Sequence, residues 1–121
     1  MTRIMIVDDE KDFRDMLDLY LRKEGFETNT AEDGADFLKK IDDFAPDIVT
    51  LDVMMPGITT RKILDTLKEK KSKSKIILLT VVRYSEAEKQ IIHEMGNIVD
   101  YITKPFDIDD FKDRIVKNLD K

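Results

Sequence analysis

Five short apolar segments alternate with five segments of helical periodicity, and this alternation constrains the fold more than any other feature of the sequence. Apolar residues in the helical segments recur every three to four positions, which is typical of amphipathic helices. Gly25 and Pro46 predict where the first two helices stop. The predicted strands are 3–7, 26–31, 48–52, 76–80 and 98–102; the first helix carries Phe13, Met16, Leu17, Tyr20 and Leu21 at apolar spacing, and the last two helices are 85–95 and 109–119.

Alternating strands and helices with short connections predict a parallel sheet that is covered by helices on both faces. The segments 48–52 and 76–80 are apolar almost throughout, as buried central strands are, whereas 26–31 alternates and fits a half-buried edge strand. We therefore expect an α/β fold of the flavodoxin-like type, with a five-stranded parallel sheet in the order 2-1-3-4-5, doubly wound with five helices. The 121 residues are expected to form a single domain, 1–121, with no output domain in this chain.

Composition excludes several classes of function. The net charge is −5, charges of both signs are interspersed, and the lysine-rich stretch 68–75 fits a solvated helix end and loop, so no direct nucleic-acid binding is expected. The absence of cysteine excludes disulfides and thiolate metal sites. No apolar signal segment or membrane-spanning stretch begins the chain, so a cytoplasmic location without a membrane partner is expected.

Three carboxylates follow or end predicted strands. Asp8 and Asp9 follow the first strand, and Asp52 ends the third. In the order 2-1-3-4-5 these two strands are neighbours at the point where ligands bind in such sheets. Like charges that converge repel each other unless a cation neutralises them. Oxygen ligands without Cys or His indicate a hard ion, Mg²⁺ before Ca²⁺, and Mn²⁺ is also possible. The simpler interpretation is that Asp8, Asp9 and Glu10 cap the following helix and that Asp52 caps a turn.

A hydroxyl and a cation are predicted at the same edge of the sheet. Thr80 ends the fourth strand, and Lys104 follows the fifth, directly before Pro105. Each has an ordinary explanation, since Thr is a good strand former and loop lysines are usually solvated. Together with a carboxylate-bound metal, however, they would form a site for a phosphate group. The first strand–helix junction lacks the glycine pattern of dinucleotide-binding proteins, which argues against that class.

These residues occur in short motifs that resemble those of a known family. The chain is similar, over essentially its whole length, to the CheY-like receiver domain of two-component response regulators. The motifs that carry the resemblance are Asp8-Asp9, Asp52 with Met55-Pro56-Gly57, Thr80, and the run Tyr101-Ile102-Thr103-Lys104-Pro105-Phe106.

The resemblance implies a role for each site residue. Asp52 would be the phosphoacceptor, and Lys104 would pair with the phosphoryl group. Asp9 would bind Mg²⁺ directly, and Asp8 would act chiefly through water. The backbone carbonyl of Met54 would be the third protein ligand of the metal beside Asp9 and Asp52.

The implied function is that of a phosphoacceptor signalling domain. A sensor histidine kinase or phosphotransfer protein would donate a phosphoryl group from a phosphohistidine to Asp52 in a Mg²⁺-dependent reaction. Thr80 and Tyr101 would then switch the surface of the fourth helix, fifth strand and fifth helix, which would contact an output protein or an effector domain. Such a domain is not a conventional enzyme, although it catalyses its own phosphorylation and dephosphorylation. The family also implies a cis Lys104–Pro105 bond.

Charged residues on the same surface suggest self-association. Asp100 and Asp110, with Lys89 and Arg114, resemble the pattern of the symmetric homodimer that OmpR-type regulators form on phosphorylation, although Val99 replaces one acid usual there. The alternative is unpaired surface charge, because exposed ion pairs contribute only about 0–1 kcal/mol each.

Three departures from the family pattern predict a long-lived phosphoryl group. Met54 and Val82 occupy the positions from which a polar side chain commonly orients the hydrolytic water, and neither can form a useful hydrogen bond. Val81 adds bulk where the family usually has a small residue. All three should exclude water, which predicts slow self-dephosphorylation.

Two other classes of function remain as alternatives. One is a receiver-like interaction module that is never phosphorylated, although such versions usually lose an acid, the Thr or the Lys. The other is a haloacid-dehalogenase-like phosphatase, which normally needs a second Asp two positions after the nucleophile, where this chain has Met54.

Overall fold

The computed structural model describes residues 2–53, 57, 59–81, 84–94 and 97–119. Strands and helices alternate along the whole chain, as the sequence predicts. None of the helices in the described part of the chain combines the length and apolar character needed to span a lipid bilayer. The strands are β1 Arg3–Val7, β2 Glu27–Ala31, β3 Ile48–Asp52, β4 Lys75–Thr80 and β5 Ile98–Thr103; the helices are α1 Lys11–Lys23, α2 Gly34–Phe44, α3 Thr60–Glu69, α4 Glu86–His93 and α5 Ile108–Leu119.

The five strands form one parallel sheet in the order β2-β1-β3-β4-β5, which confirms the predicted flavodoxin-like α/β fold. Every residue of the central strand β3 is buried, whereas four of the five residues in β2 are only half-buried. This difference follows from position, because β3 has a strand on each side and helices on both faces, and β2 lies at the edge. Two separate hydrophobic clusters, one on each face of the sheet, form the core.

Local signals define several helix ends. Asp33 accepts a hydrogen bond from the Asp36 N–H at 2.8 Å and begins α2. Ser85 and Glu88 form a reciprocal capping box at the start of α4. Gly25 has φ +95°, a left-handed conformation that costs glycine little, and lies just beyond the end of α1.

The burial of α1 differs in one detail from its apolar pattern. Met16 has helical spacing with the core residues of α1, yet it is 48% exposed, while Leu17 and Leu21 are fully buried. The α1 stripe that contacts the sheet is therefore narrower than the apolar pattern indicates. The fourth helix is Glu86–His93, with Ser85 as its N-cap and Glu94 as its C-cap; the predicted last residue, Met95, lies outside the described residues.

Candidate functional site

The site lies where β1, β3, β4 and β5 end, at one edge of the sheet. Asp8 directly follows β1, and Asp52 is the last residue of β3. Thr80 is the last residue of β4 and pairs in register with Thr103, the last residue of β5, so that Lys104 begins the next loop. Parallel strands with these endpoints place the predicted residues at a common rim, as expected.

Asp8 is the most buried acid of the site, at 1% exposure. Its Oδ2 lies 3.0 Å from the ammonium nitrogen of Lys104, and its Oδ1 accepts a hydrogen bond from the Glu10 N–H at 2.9 Å. The Arg14 guanidinium donates to the backbone carbonyl of Asp8 at 2.7 Å. Glu10 is the N-cap of α1 but makes no side-chain capping bond, so the capping interpretation does not account for its carboxylate. Each carboxylate oxygen of Asp8 thus has a hydrogen-bond partner, and these two contacts orient the side chain.

Lys104 connects two buried carboxylates. Its Nζ lies 3.7 Å from Asp52 Oδ2, in addition to the contact with Asp8, and its side chain is 19% exposed. Its backbone N–H donates to the Thr80 carbonyl at 2.7 Å, which extends the β4–β5 pairing to the edge of the site. The Lys104–Pro105 bond is cis, as predicted. A cation between two acids lowers the cost of burying both charges.

The three carboxylates fit a hard cation. Among the described residues, one carboxylate oxygen each from Asp8, Asp9 and Asp52 lie within 4.8 Å of one another. Asp9 is exposed, whereas Asp52 is 5% exposed, so the cluster opens to solvent on the Asp9 side. An all-oxygen donor set that can keep water ligands suits Mg²⁺ or Mn²⁺. The predicted ligand carbonyl of Met54 lies outside the described residues.

The two predicted switch residues lie on neighbouring strands. Thr80 is 1% exposed. The ring of Tyr101 is half-buried, and its hydroxyl donates to the Lys89 carbonyl of α4 at 3.0 Å. Burial raises the pKa of Tyr101 above its ordinary value, and interactions with Tyr84 and Asp100 add to this effect. Tyr101 therefore joins β5 to α4 in this structure.

Two further contacts at the site were not predicted from the sequence. The Lys104 ammonium lies 4.4 Å from the centre of the Phe13 ring, although the spacing of Phe13 predicts only a core residue of α1. The hydrogen bond from Arg14 to Asp8 was also not expected. The spacing of residues in α1 shows which face is apolar, but it does not show which loop lies over that face.

Comparison with known proteins shows which family the chain is similar to. The family model for the response regulator receiver domain matches residues 4–116. The regulator TrrA of Thermotoga maritima, solved with Mg²⁺ and BeF, is 38% identical, with 97% of this chain and 98% of that chain covered and a TM-score of 0.79. The complex of histidine kinase ThkA with TrrA matches at 37% identity, 97% coverage of both chains and a TM-score of 0.79.

A further similar structure is the chemotaxis protein CheY4 of Vibrio cholerae. It is 26% identical, with 97% of this chain and 98% of that chain covered and a TM-score of 0.86. The family model covers most of the sequence, and it ends within the last helix, so it includes every strand end that contributes to the site. The chain therefore belongs to the receiver domain family of two-component response regulators.

Proposed function

We propose that this receiver domain accepts a phosphoryl group on Asp52 from a phosphohistidine of a sensor histidine kinase or phosphotransfer protein. The observation that carries the proposal is the contact of Lys104 with both Asp8 and Asp52, at 3.0 and 3.7 Å, beside a cluster of three carboxylates. Membership of the family excludes the phosphatase alternative. An interaction module that is never phosphorylated is the outcome that the experiment below must reject.

The chemistry is a transfer between two nucleophiles. A carboxylate oxygen of Asp52 bonds to phosphorus as the phosphorus–nitrogen bond of the donor breaks, and the electron pair of that bond stays on the imidazole. Asp8, Asp9 and Asp52 would hold Mg²⁺, which when bound supplies positive charge beside the phosphoryl oxygens. Lys104 is close enough to Asp52 to exchange its carboxylate contact for one with a phosphoryl oxygen.

The partner requires a surface next to the site. An apolar groove lies next to the site. Its lining residues are Phe13, Met16, Val81, Lys104, Pro105, Phe106 and Ile108. Its exposed residues, which include Met16, Val81 and Pro105, would be covered by a docked kinase. TrrA was solved in complex with the histidine kinase ThkA, which supports a kinase as partner. Met16→Lys should slow labelling by a phosphorylated histidine kinase and leave labelling by a small phosphodonor unchanged.

Phosphorylation would be transmitted to the surface of α4, β5 and α5. Movement of the Thr80 hydroxyl toward the phosphoryl group would leave space into which the Tyr101 ring can turn, and an output protein or effector domain would bind the altered surface. A homodimer through this surface is part of the proposal. Arg114 now pairs with Asp100 at 2.9 Å and Asp110 at 3.1 Å within the chain, so a dimer would exchange these pairs for intermolecular ones. A fully phosphorylated protein that still sediments as a monomer would rule out the homodimer.

The deciding experiment is mass spectrometry of the intact protein. Incubation with a small phosphoramidate and Mg²⁺ should add one phosphoryl group, and Asp52→Asn or a chelator should prevent it. Asp65→Asn, which changes an exposed acid of α3 that pairs with Arg61, is the matched control and should label normally. Equal labelling of wild type and Asp52→Asn would overturn the assignment, and no labelling of wild type would favour the interaction module.

A further inference from the structure

The ring of Phe13 lies over the ammonium group of Lys104. The distance from Nζ to the ring centre is 4.4 Å, which is within the range of a favourable cation–π interaction. The Lys104 side chain is only 19% exposed, so water screens this contact less than it would at the surface. Asp8 and Asp52 attract the ammonium through its hydrogen-bonding protons, and the ring provides a further contact that needs no particular hydrogen-bond direction.

Phe13 is itself held by the core. Its ring meets Phe106 edge to face, with centroids 5.9 Å apart, and Phe106 stacks on Phe111 at 5.2 Å. Phe111, a residue of α5, is completely buried. The position of the Phe13 ring is thus determined by a row of aromatic side chains that ends in the core.

We infer that Phe13 is a positioning residue for Lys104 in phosphoryl transfer to Asp52. A lysine side chain has four rotatable bonds, and two acids alone leave its ammonium many positions. Attraction to the ring face favours the positions in which the ammonium lies between the Phe13 ring and the carboxylates of Asp8 and Asp52. Because attraction to the ring face depends little on hydrogen-bond direction, Lys104 can leave Asp52 for a phosphoryl oxygen while it remains over Phe13. This inference rests on the proposed phosphoacceptor function.

Fluorination of the ring tests the inference with little change of shape. Successive fluorines withdraw electron density from the ring face and weaken its attraction for a cation. With mono-, di- and trifluorophenylalanine at position 13, the rate of labelling by a small phosphoramidate should fall step by step, by about fivefold for the trifluoro protein. A small donor is used because its reaction does not depend on kinase docking to the groove that Phe13 lines.

Phe44 provides the matched control. The Arg3 guanidinium lies over the Phe44 ring, 5.8 Å from its centre. Arg3 is the first residue of β1 and Phe44 the last of α2, so this contact lies at the opposite end of β1 from Asp8. The same fluorinated residues at position 44 should leave the labelling rate unchanged. Equal labelling rates across the Phe13 series, with normal labelling of wild type, would overturn the positioning role of Phe13 but not the phosphoacceptor function. Failure of wild type to label would overturn the phosphoacceptor function itself.

A spectroscopic measurement tests the contact without any activity. A proton that lies over an aromatic ring resonates upfield, so the terminal methylene protons of Lys104 should be shifted upfield in wild type and in Phe13→Tyr. The shift should disappear in Phe13→Leu, which keeps an apolar side chain but no ring. An unchanged Lys104 resonance in Phe13→Leu would show that the ring does not hold the ammonium and would refute the inference.

Discussion

The ammonium nitrogen of Lys104 lies 3.0 Å from Asp8 Oδ2, although 96 positions separate the two residues in the chain. The contact joins the loop after β5 to the loop after β1 across the ends of β3 and β4. It neutralises a carboxylate that is 1% exposed, so it matters for the stability of the fold as well as for the proposed chemistry.

Removing this cation should destabilise the metal-free protein. Lys104→Met removes the ammonium group that contacts Asp8 and Asp52. The free energy of unfolding should fall by about 1–3 kcal/mol, below the value for a fully buried pair because Lys104 is partly solvated. Mg²⁺ should restore part of the loss, since it replaces the missing charge. Urea denaturation with a chelator and with Mg²⁺ measures both effects.

Lys112→Met is the control for this change. It breaks the exposed Lys112–Glu24 pair at 2.8 Å and should cost little in either condition. A similar loss of stability in both variants, with no recovery in Mg²⁺, would contradict the expectation.

Asp9→Asn should weaken metal binding without loss of the Lys104 contacts. Asp9 is the exposed acid of the cluster, and no described hydrogen bond or ion pair links it to Lys104. We expect Mg²⁺ to raise the melting temperature of wild type, and the Mg²⁺ concentration needed to rise at least about tenfold in the variant. The Mn²⁺ concentration needed should likewise be higher for the variant than for wild type. Asp12→Asn, which alters an exposed acid in the first turn of α1, should leave the midpoint of the Mg²⁺ titration unchanged.

Tyr101→Phe should change stability in two distinguishable ways. At neutral pH the variant loses the hydrogen bond to Lys89, at a cost of about 0.5–1.5 kcal/mol. Burial raises the pKa of Tyr101, so the folded state favours the neutral phenol. This contribution is fully present below the unfolded pKa of about 10 and is lost as the pH rises through the raised value.

Wild type should therefore lose stability more steeply than Tyr101→Phe above about pH 10. Urea denaturation at a series of alkaline pH values gives the two slopes. Parallel slopes would show that Tyr101 is not protected from ionisation in the folded state.

The aspartyl phosphate should be long-lived if Met54 and Val82 exclude water. Both residues lie outside the described part of the chain, and this remains a prediction from the sequence. Release of phosphate from purified phosphoprotein should accelerate in Met54→Asn/Val82→Glu, because polar groups can then orient the attacking water. If the double variant releases phosphate no faster than wild type, these side chains do not set the lifetime.

The sequence by itself determined the sheet and the positions of the site residues along it. The apolar run that ends in Asp52 predicts a strand buried on both faces, as β3 is. The alternating segment 26–31 predicts a half-buried edge strand, as β2 is. Once the strand order is given, Asp8, Asp52, Thr80 and Lys104 must share one rim, because parallel strands end at the same edge. Hydrophobic periodicity is a local property, so it can be read without knowledge of distant neighbours.

Only the tertiary structure decided which of these side chains touch. Consecutive residues of a chain point in different directions, so Asp8 is buried against Lys104 while Asp9 is exposed. The exposure of Met16 and the place of Phe13 over Lys104 likewise depend on how the loop after β5 crosses α1. Such contacts join residues far apart in sequence, and they are set by the twist of the sheet and the path of its loops, which no local pattern of residues encodes.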